Sequence, residues 1–187
     1  MTELEIANVV ASGRLGREFD LAAVSKSNKL NNDSRIETVE HSQKSGERVL
    51  VRFGTPSVLG ILSRKGACII TGAKSLEEAE ETKEIFLDAL QNAKIISNCS
   101  IDNFDIQNIV FTTTLAESLD LNAVSILLGL ENVEYEPEQF PGLVYRPEGT
   151  SCVFLLFASG KIVITGGKSK QAARDATEFV KTELEDL

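Results

Sequence analysis

The sequence predicts an α+β protein made of two similar halves, each an antiparallel sheet with a long helix on one of its faces. Two internal sequence repeats support this prediction. The segment from Phe19 to Ser25 (FDLAAVS) returns one hundred residues later, from Leu119 to Ser125, as LDLNAVS. The segment 66–75 (GACIITGAKS) returns ninety-four residues later, at 160–169, as GKIVITGGKS. Two copies are too few for a solenoid, so they indicate a pseudo-symmetric pair of half-domains.

The first half, which we place at residues 1–96, contains four predicted strands and two predicted helices. Apolar segments separated by turn residues predict strands over 4–15, 48–53, 57–63 and 66–71, and a short helix over 20–30. Ser75 and Glu78 have the spacing of a capping box, which predicts that a long helix begins at Ser75.

The second half, placed at residues 97–187, repeats this order. Its predicted strands cover 104–114, 142–147, 151–157 and 160–165, and a helix follows from Ser169. In both halves the strands are apolar at neighbouring positions, as in the segment VFLLF at 153–157. Such strands have two apolar faces, whereas a helix on one side covers only one of them. Either the sheet is covered on both sides, or its second face is a large apolar binding surface.

Composition limits the classes of protein that are compatible with the chain. With 187 residues and 42% apolar residues, it can bury a sizeable core. No apolar run reaches the length of about 20 residues that a membrane helix needs. The first residues, MTELE, lack the features of a signal peptide, so we expect a soluble intracellular protein.

The net charge of −9 argues, taken alone, against binding to nucleic acid. The acidic residues are unevenly distributed, however. They crowd two predicted helices, at Glu77, Glu78, Glu80, Glu81 and Glu84 in one half and at Glu178, Glu183, Glu185 and Asp186 in the other. A charge run of this kind is typical of a solvated helix face, which can lie far from a binding surface.

No enzyme motif is complete. The odd number and wide spacing of Cys68, Cys99 and Cys152 favour reduced core thiols over a disulfide or zinc site. His41 is the single histidine and lies in a polar stretch, so we expect a solvated loop residue and no histidine-based metal site or catalytic triad. The segment TGGKS at 165–169 lacks the first glycine of a phosphate-binding loop. We therefore expect neither a cofactor nor a metal.

Three segments resemble a known family. The segments 105–110 (DIQNIV), 135–146 (YEPEQFPGLVYR) and 154–166 (FLLFASGKIVITG) are similar to the second repeat of the TATA-box-binding protein family, particularly in its archaeal form. The resemblance covers nearly the whole chain. It implies a saddle with a curved ten-stranded antiparallel sheet, whose concave face sits on the DNA minor groove and whose convex face carries the helices. The family kinks its DNA by roughly 80°.

The resemblance also implies a set of DNA contacts. The central amide donors would be Asn8 and Asn108, with Thr71 and Thr165 beside them; base edges would meet Val10, Ile69, Val110 and Val163, with Ile61 and Leu155 near the wedges; Arg52 and Arg146 would hold phosphates; and Phe140 and Phe157 would be wedges between base steps. A strand asparagine or threonine alone is usually a ladder or turn residue. Their matched occurrence in both repeats favours the functional interpretation.

The first repeat departs from the family pattern. The positions equivalent to the two wedge phenylalanines fall at Gly46 and Ser63, and Phe53 is predicted to point to the core. The stretch 26–47 also lacks the pattern YEPEQFP, so a different loop is expected there. The bend should therefore be smaller or one-sided.

The resemblance implies a general transcription initiation factor that binds double-stranded A·T-rich promoter DNA. Its protein partners would be transcription factor B, which would meet Glu136, Glu138 and Gln139, and the RNA polymerase machinery. The expected location is the cytoplasm, in association with the nucleoid if the source is archaeal, or the nucleus if the source is eukaryotic. Two alternatives stay open: a paralogue with weakened bending that regulates mainly through protein contacts, and a related fold used inside another system.

Overall fold

The computed structural model describes residues 3–44, 46–54, 57–97, 99–115, 118–167 and 169–184. Within these ranges the chain forms ten strands and five helices. The strands are β1 (Glu5–Arg14), β2 (Ile36–Ser42), β3 (Arg48–Phe53), β4 (Leu59–Ser63), β5 (Ala67–Ala73), β6 (Asp102–Thr114), β7 (Val133–Glu134), β8 (Gly142–Tyr145), β9 (Val153–Phe157) and β10 (Lys161–Gly167). The helices are α1 (Leu21–Ser25), α2 (Asn28–Asn31), α3 (Leu76–Asn92), α4 (Leu121–Leu127) and α5 (Lys170–Leu184).

The chain divides into two compact units, Asn8–Gln107 in one and Met1–Ala7 with Asn108–Leu187 in the other. The strand order is β2-β3-β4-β5-β1 in the first unit and β6-β10-β9-β8-β7 in the second, within a ten-stranded sheet. The strand pairs within each unit are antiparallel. This confirms the predicted α+β class. The repeat boundary between residues 96 and 97 stays a prediction.

The sequence analysis does not predict two strands, β2 and β7, and both of them lie at sheet edges. β2 is rich in polar residues, with the sequence IETVEHS, and β7 has only two residues. An edge strand pairs on one side only and need not be apolar on either face. The expectation that His41 lies in a solvated loop is therefore wrong. His41 lies in β2 opposite Val49, is partly buried, and its ring Nε2 is 3.1 Å from Oε1 of Glu47.

The prediction of a single helix over 20–30 is also wrong in detail, because two short helices, α1 and α2, occupy this segment. Asp20 caps α1 by accepting a hydrogen bond from the Ala23 N–H at 3.0 Å. Ser27 then caps α2 by accepting from the Leu30 N–H at 3.4 Å. A serine that caps a new helix interrupts the preceding one, because its backbone is extended, with ψ of 111°.

The two long helices begin where the sequence predicts. Ser75 accepts a hydrogen bond from the Glu78 N–H at 3.0 Å, and Ser169 accepts from the Ala172 N–H at 3.1 Å. The Glu78 carboxylate accepts from the Lys74 N–H, one residue before the N-cap. A capping side chain of this kind stabilises a helix by about 1 kcal/mol.

In each unit the long helix covers one face of the strands. α3 packs on β4 and β5, and α5 packs on β10. The strand side chains beneath them alternate with partly exposed ones, and Ile70 and Ile164 on the covered face are fully buried. Phe53 is buried too, and its ring meets the edge of Phe86 at a centroid distance of 6.0 Å, which confirms the prediction that Phe53 is a core residue.

The three cysteines are free thiols, but they differ in burial. Cys68 and Cys152 are buried, whereas Cys99 is partly exposed, so the expectation of a core thiol is wrong for Cys99. Burial raises the pKa of the Cys68 thiol to about 12, because the low dielectric disfavours the thiolate.

The acidic run of the first half lies on α3, where Glu77, Glu80, Glu81 and Glu84 are exposed, as predicted for a solvated helix face. Of the second acidic cluster, Glu178 and Glu183 are exposed on α5. Glu185 and Asp186 lie outside the described residues. None of the helices in the described part of the chain is long and apolar enough to cross a membrane.

Candidate nucleic-acid interface

The strand face opposite the long helices carries apolar side chains that remain partly exposed. We call it the open face of each unit. In the first unit its apolar residues include Val10, Leu50, Leu59, Ile61 and Ile69; in the second they include Val110, Val144, Val153, Leu155 and Val163. Each alternates along its strand with a buried residue. The apolar character of both strand faces is thus explained by one buried face and one accessible face, which favours a binding surface.

Cross-strand pairing aligns the predicted contact residues of the first unit in two rows. One row runs from Ser12 through Ile69 and Ile61 to Leu50. The other runs from Val10 through Thr71 and Leu59 to Arg52. Directly paired side chains on one face lie within about 5.5 Å of each other at Cβ. The sheet therefore places Val10 beside Thr71 and aligns Arg52 in the same row, next to Leu59, although these residues are far apart in sequence.

The second unit repeats the apolar row with different residues. It runs from Thr112 through Val163 and Leu155 to Val144. Thr165 pairs with Val153 in the neighbouring row. Ile61 and Leu155, predicted to lie near the wedges, thus occupy equivalent central positions in the two units.

A backbone irregularity in each unit holds the predicted amide donor. The register shifts between Val9 and Val10 opposite Gly72, and again between Ile164 and Gly167 around Gly166. The two glycines have φ of 105° and 85°, values that favour glycine. Each irregularity leaves a backbone N–H off the ladder, a feature of β-bulges.

Those two N–H groups bind the asparagines. The Gly72 N–H donates to Oδ1 of Asn8 at 2.7 Å, and the Gly166 N–H donates to Oδ1 of Asn108 at 3.0 Å. Of the two terminal atoms of an asparagine amide only Oδ1 can accept from an N–H, so each amide is oriented with Nδ2 on the side away from the glycine N–H. The nitrogen Nδ2 of Asn108 is 3.0 Å from Oγ1 of Thr165, and that of Asn8 is 3.5 Å from Oγ1 of Thr71. Each unit therefore presents an oriented amide donor next to a hydroxyl.

The two predicted wedge residues of the second unit meet at one end of its open face. The rings of Phe140 and Phe157 pack edge to face with centroids 5.9 Å apart, and Phe140 is 39% exposed. Gly142 pairs with Phe157, and a Cβ at Gly142 would lie 2.7 Å from Phe140 and 3.0 Å from Phe157. The glycine thus leaves the space in which the two rings meet.

The equivalent end of the first unit is polar. Ser63 occupies the position equivalent to Phe157, and its cross-strand partner Arg48 occupies the position equivalent to Gly142. The Ser63 hydroxyl accepts a hydrogen bond from the Ala67 N–H at 2.9 Å. Nearby, Nε of Arg64 donates to Glu47 at 3.0 Å, and this bond holds the pKa of the Glu47 carboxyl below its ordinary value.

The two predicted phosphate contacts occupy equivalent exposed positions. Arg52 lies in β3 opposite Thr38 and Leu59. Arg146 follows β8, and its Nε is 3.5 Å from Oε1 of Glu134. A surface ion pair of this kind contributes about 0 to 1 kcal/mol, so it leaves the guanidinium available to another anion.

The predicted partner-binding residues form an exposed turn before β8. The backbone N–H groups of Gln139 and Phe140 both donate to the carbonyl of Glu136 at 2.9 Å, and the Gln139 side chain donates to the Glu136 carboxylate. Glu138 is exposed beside them. The turn presents two carboxylates next to the aromatic pair.

Sequence reasoning missed several open-face residues. Leu50 and Val144, and Leu59 and Val153, are equivalent pairs that the repeat spacing of ninety-four residues could have identified. The bulge glycines could also have been found, since both follow the repeated pair Ile-Thr. Arg48 had no such signal, because its equivalent in the second repeat is a glycine. The described residues contain no cluster of three or more His, Cys, Asp or Glu side chains that could hold a metal.

The chain matches a known protein family. The family described as "Transcription factor TFIID (or TATA-binding protein, TBP)" matches residues 3–93 and 103–187.

Individual relatives match over nearly their whole length. The chain is 41% identical over 184 residues to TATA-box-binding protein C of Halobacterium salinarum, covering 98% of each chain. It is 40% identical over 185 residues to the TATA-box-binding protein of Archaeoglobus fulgidus, covering 99% of this chain and 96% of the relative. Among solved structures, it resembles Methanococcus jannaschii TBP with a TM-score of 0.77 and 34% identity over 100% of both chains.

Proposed function

The chain belongs to the TATA-box-binding protein family, and we propose on that premise that its open face binds the minor groove of A·T-rich promoter DNA. The family is one of transcription factors rather than a class of enzymes, and the chain is a general transcription initiation factor. The observation that best supports groove binding is the pair of oriented amides, Asn8 and Asn108, each fixed by a bulge N–H within an apolar face.

The chemistry of this face suits the minor groove better than the major groove. In the minor groove an A·T pair presents two acceptors, and a G·C pair differs by the guanine amino group. An amide N–H donor complements the acceptors, and flat apolar side chains fit against a groove floor that has no amino group. The valines and isoleucines of the open face therefore exclude guanine while the amides bind A·T pairs.

The aromatic pair of the second unit provides a wedge. Phe140 and Phe157 are partly exposed apolar rings at the end of the open face. Insertion of such side chains between base steps unstacks them at a cost of a few kcal/mol and kinks the duplex, which then contacts more of the protein. Arg52 and Arg146 hold phosphates of the bent duplex.

The exposed turn before β8 is suited to binding a protein partner. Glu136, Glu138 and Gln139 bind transcription factor B, which then brings the RNA polymerase machinery to the promoter. Exposed carboxylates fit a basic partner surface, where they increase the rate and specificity of association. Such a factor works wherever the chromosome is, in the cytoplasm of an archaeal cell or in the nucleus of a eukaryotic one.

The test is binding to a duplex with a TATA sequence across a series of salt concentrations, with and without transcription factor B. With Arg52 and Arg146 as the main phosphate contacts, the slope of log K against log salt should be shallow, about −2. Transcription factor B should increase the stability of the complex. Equal affinity for a G·C duplex of the same length would rule out the groove-reading proposal.

A second candidate is a paralogue that regulates transcription mainly through protein contacts. It is favoured by one observation, the polar pair Arg48 and Ser63 at the place equivalent to Gly142 and Phe157. This candidate predicts a ternary complex with transcription factor B in which the DNA is nearly straight. Fluorescence transfer between the two ends of a labelled duplex separates the two candidates.

A further inference from the structure

Gly166 is held by two polar side chains, one on each of the peptide groups that flank its Cα atom. Its N–H donates to Oδ1 of Asn108 at 3.0 Å, and its carbonyl oxygen accepts a hydrogen bond from the hydroxyl of Ser151 at 3.2 Å. The N–H and the carbonyl belong to consecutive planar peptide groups, which turn about the bonds on either side of the Cα atom. The two hydrogen bonds together therefore restrain both backbone dihedral angles of Gly166.

The sheet alone does not provide this restraint. The pairing of β9 with β10 ends at Val153 and Thr165, so Gly166 lies one residue beyond it. Gly166 has φ of +85°, and a residue without a Cβ has the widest choice of other backbone conformations. Ser151 lies directly against it, since a Cβ on Gly166 would be 2.3 Å from the Ser151 carbonyl oxygen. The Ser151 hydroxyl thus binds the Gly166 carbonyl at the point where the β9–β10 pairing has stopped.

The conformation of Gly166 decides which way the Asn108 amide faces. Oδ1 of Asn108 is bound by the Gly166 N–H, and Nδ2 is 3.0 Å from Oγ1 of Thr165. If Gly166 turns, its N–H leaves Oδ1, and the amide is free to rotate until the oxygen takes the place of the nitrogen. An amide oxygen has no proton to donate to the acceptors of an A·T pair. The affinity for A·T-rich DNA then falls although no residue that touches the DNA has been lost.

We propose that Ser151 is a positioning residue for groove reading: it holds Gly166, and Gly166 holds the Asn108 amide with its donor toward the groove. This inference rests on the proposed binding of Asn108 to the minor groove. Ser57 occupies the equivalent position in the first unit, with its carbonyl oxygen 3.4 Å from the Cβ position of Gly72. Within the described part of the chain the Ser57 side chain makes no hydrogen bond, so Ser57 is a matched control.

A double-mutant cycle tests the inference, with fluorescence anisotropy on a labelled TATA duplex and on a G·C duplex of the same length. Ser151→Ala should weaken binding to the TATA duplex roughly two- to tenfold, as the loss of one hydrogen bond does, and leave binding to the G·C duplex unchanged. The same change in an Asn108→Ala background should have no further effect, because the amide that Ser151 positions is then missing. Ser151→Thr keeps the hydroxyl at this exposed position and should keep the affinity.

Two controls separate positioning from stability. Ser57→Ala removes the equivalent hydroxyl of the first unit and should leave the affinity for both duplexes unchanged. A variant that is only less stable loses the same fraction of active protein toward both duplexes, so the ratio of its two affinities stays the same. Urea unfolding of each variant measures that loss directly.

The outcomes separate this inference from the function beneath it. An unchanged affinity of Ser151→Ala, or an equal loss with and without Asn108→Ala, would overturn it, because Ser151 would then act independently of the amide. Equal losses for the two duplexes, or a loss in Ser57→Ala as large as in Ser151→Ala, would also overturn it. In these cases a weakened Asn108→Ala variant would leave groove binding intact. Full affinity of Asn108→Ala for the TATA duplex would overturn the groove-reading role of Asn108 and this inference with it.

Discussion

The side-chain oxygen Oδ1 of Asn108 accepts a hydrogen bond from the Gly166 N–H at 3.0 Å, which directs the amide nitrogen Nδ2 toward the hydroxyl of Thr165. Asn8 and Gly72 repeat this relationship in the first unit at 2.7 Å. The orientation of the donor thus depends on a backbone feature, the bulge, as well as on the asparagine itself.

Asn108→Asp should weaken binding to an A·T-rich duplex by about 1 to 3 kcal/mol, or roughly tenfold to a hundredfold. One carboxylate oxygen can still accept from the Gly166 N–H, but the other replaces the donor and faces the groove acceptors. The measurement is fluorescence anisotropy with a labelled duplex. Asn28→Asp, on α2, adds the same charge away from the open face and should change the affinity little. Equal affinities of both variants and the unmodified chain would remove the groove-reading role of Asn108.

Gly166→Ala should destabilise the second unit. The residue has φ of +85°, and a Cβ would lie 2.3 Å from the carbonyl oxygen of Ser151. Strain in this backbone region costs on the order of 1 to 3 kcal/mol, to which the close contact adds. Urea unfolding measures the change. Gly149→Ala is the matched control, since its φ is +78° but nothing lies within 4 Å of the added Cβ. If both variants lost the same free energy of unfolding, the close approach to Ser151 would be irrelevant.

Phe157→Ala should remove most of the DNA bend. It deletes one ring of the only aromatic pair that the described residues place on the open face, and it leaves Phe140 without its edge contact. Fluorescence transfer across an end-labelled duplex should show a longer distance than with the unmodified chain. Ser63→Phe is the complementary change and should shorten the distance, because it adds a ring at the polar end. Two equal kinks with the unmodified chain would mean that other residues replace the missing first-unit phenylalanines.

Reversing the charges of Glu136 and Glu138 to lysine should abolish the complex with transcription factor B on DNA. Both side chains are exposed, so the fold should be retained. The same double reversal at Glu77 and Glu80 on α3 is the control and should leave the ternary complex intact. A native gel shift with the three components reports the result. A normal ternary complex with the first variant would place the partner surface elsewhere.

The sequence predicts the parts of this molecule that repeat. The two long helices were predictable from Ser75 and Ser169, since a capping serine before an apolar stripe is a local signal. The edge strands were not, because β2 is polar and β7 is two residues long, and their pairing depends on partners distant in sequence. The sequence predicts one helix where α1 and α2 lie, because the serine at position 27 fits both a helix interior and an N-cap.

The candidate site was predictable where the two repeats agree. Asn8 and Asn108 occur at matching positions, and in the structure each accepts a hydrogen bond from the N–H of the bulge glycine in its own unit. Arg48 was not predictable, because its equivalent, Gly142, has a different chemistry and so gives no repeat signal. The register of β3 and β4, which only the structure gives, places Arg48 beside Ser63 and thereby defines the polar end of the open face.

The central claim is that the open face reads the minor groove, and base analogues test it most directly. A duplex in which inosine·cytosine replaces A·T keeps the minor-groove pattern of acceptors without an amino group, while its major groove resembles that of G·C. We expect the chain to bind a TATA duplex and its inosine·cytosine counterpart with similar affinity and to bind the G·C counterpart at least roughly tenfold more weakly. Binding of the inosine·cytosine duplex as weak as that of the G·C duplex would contradict the account.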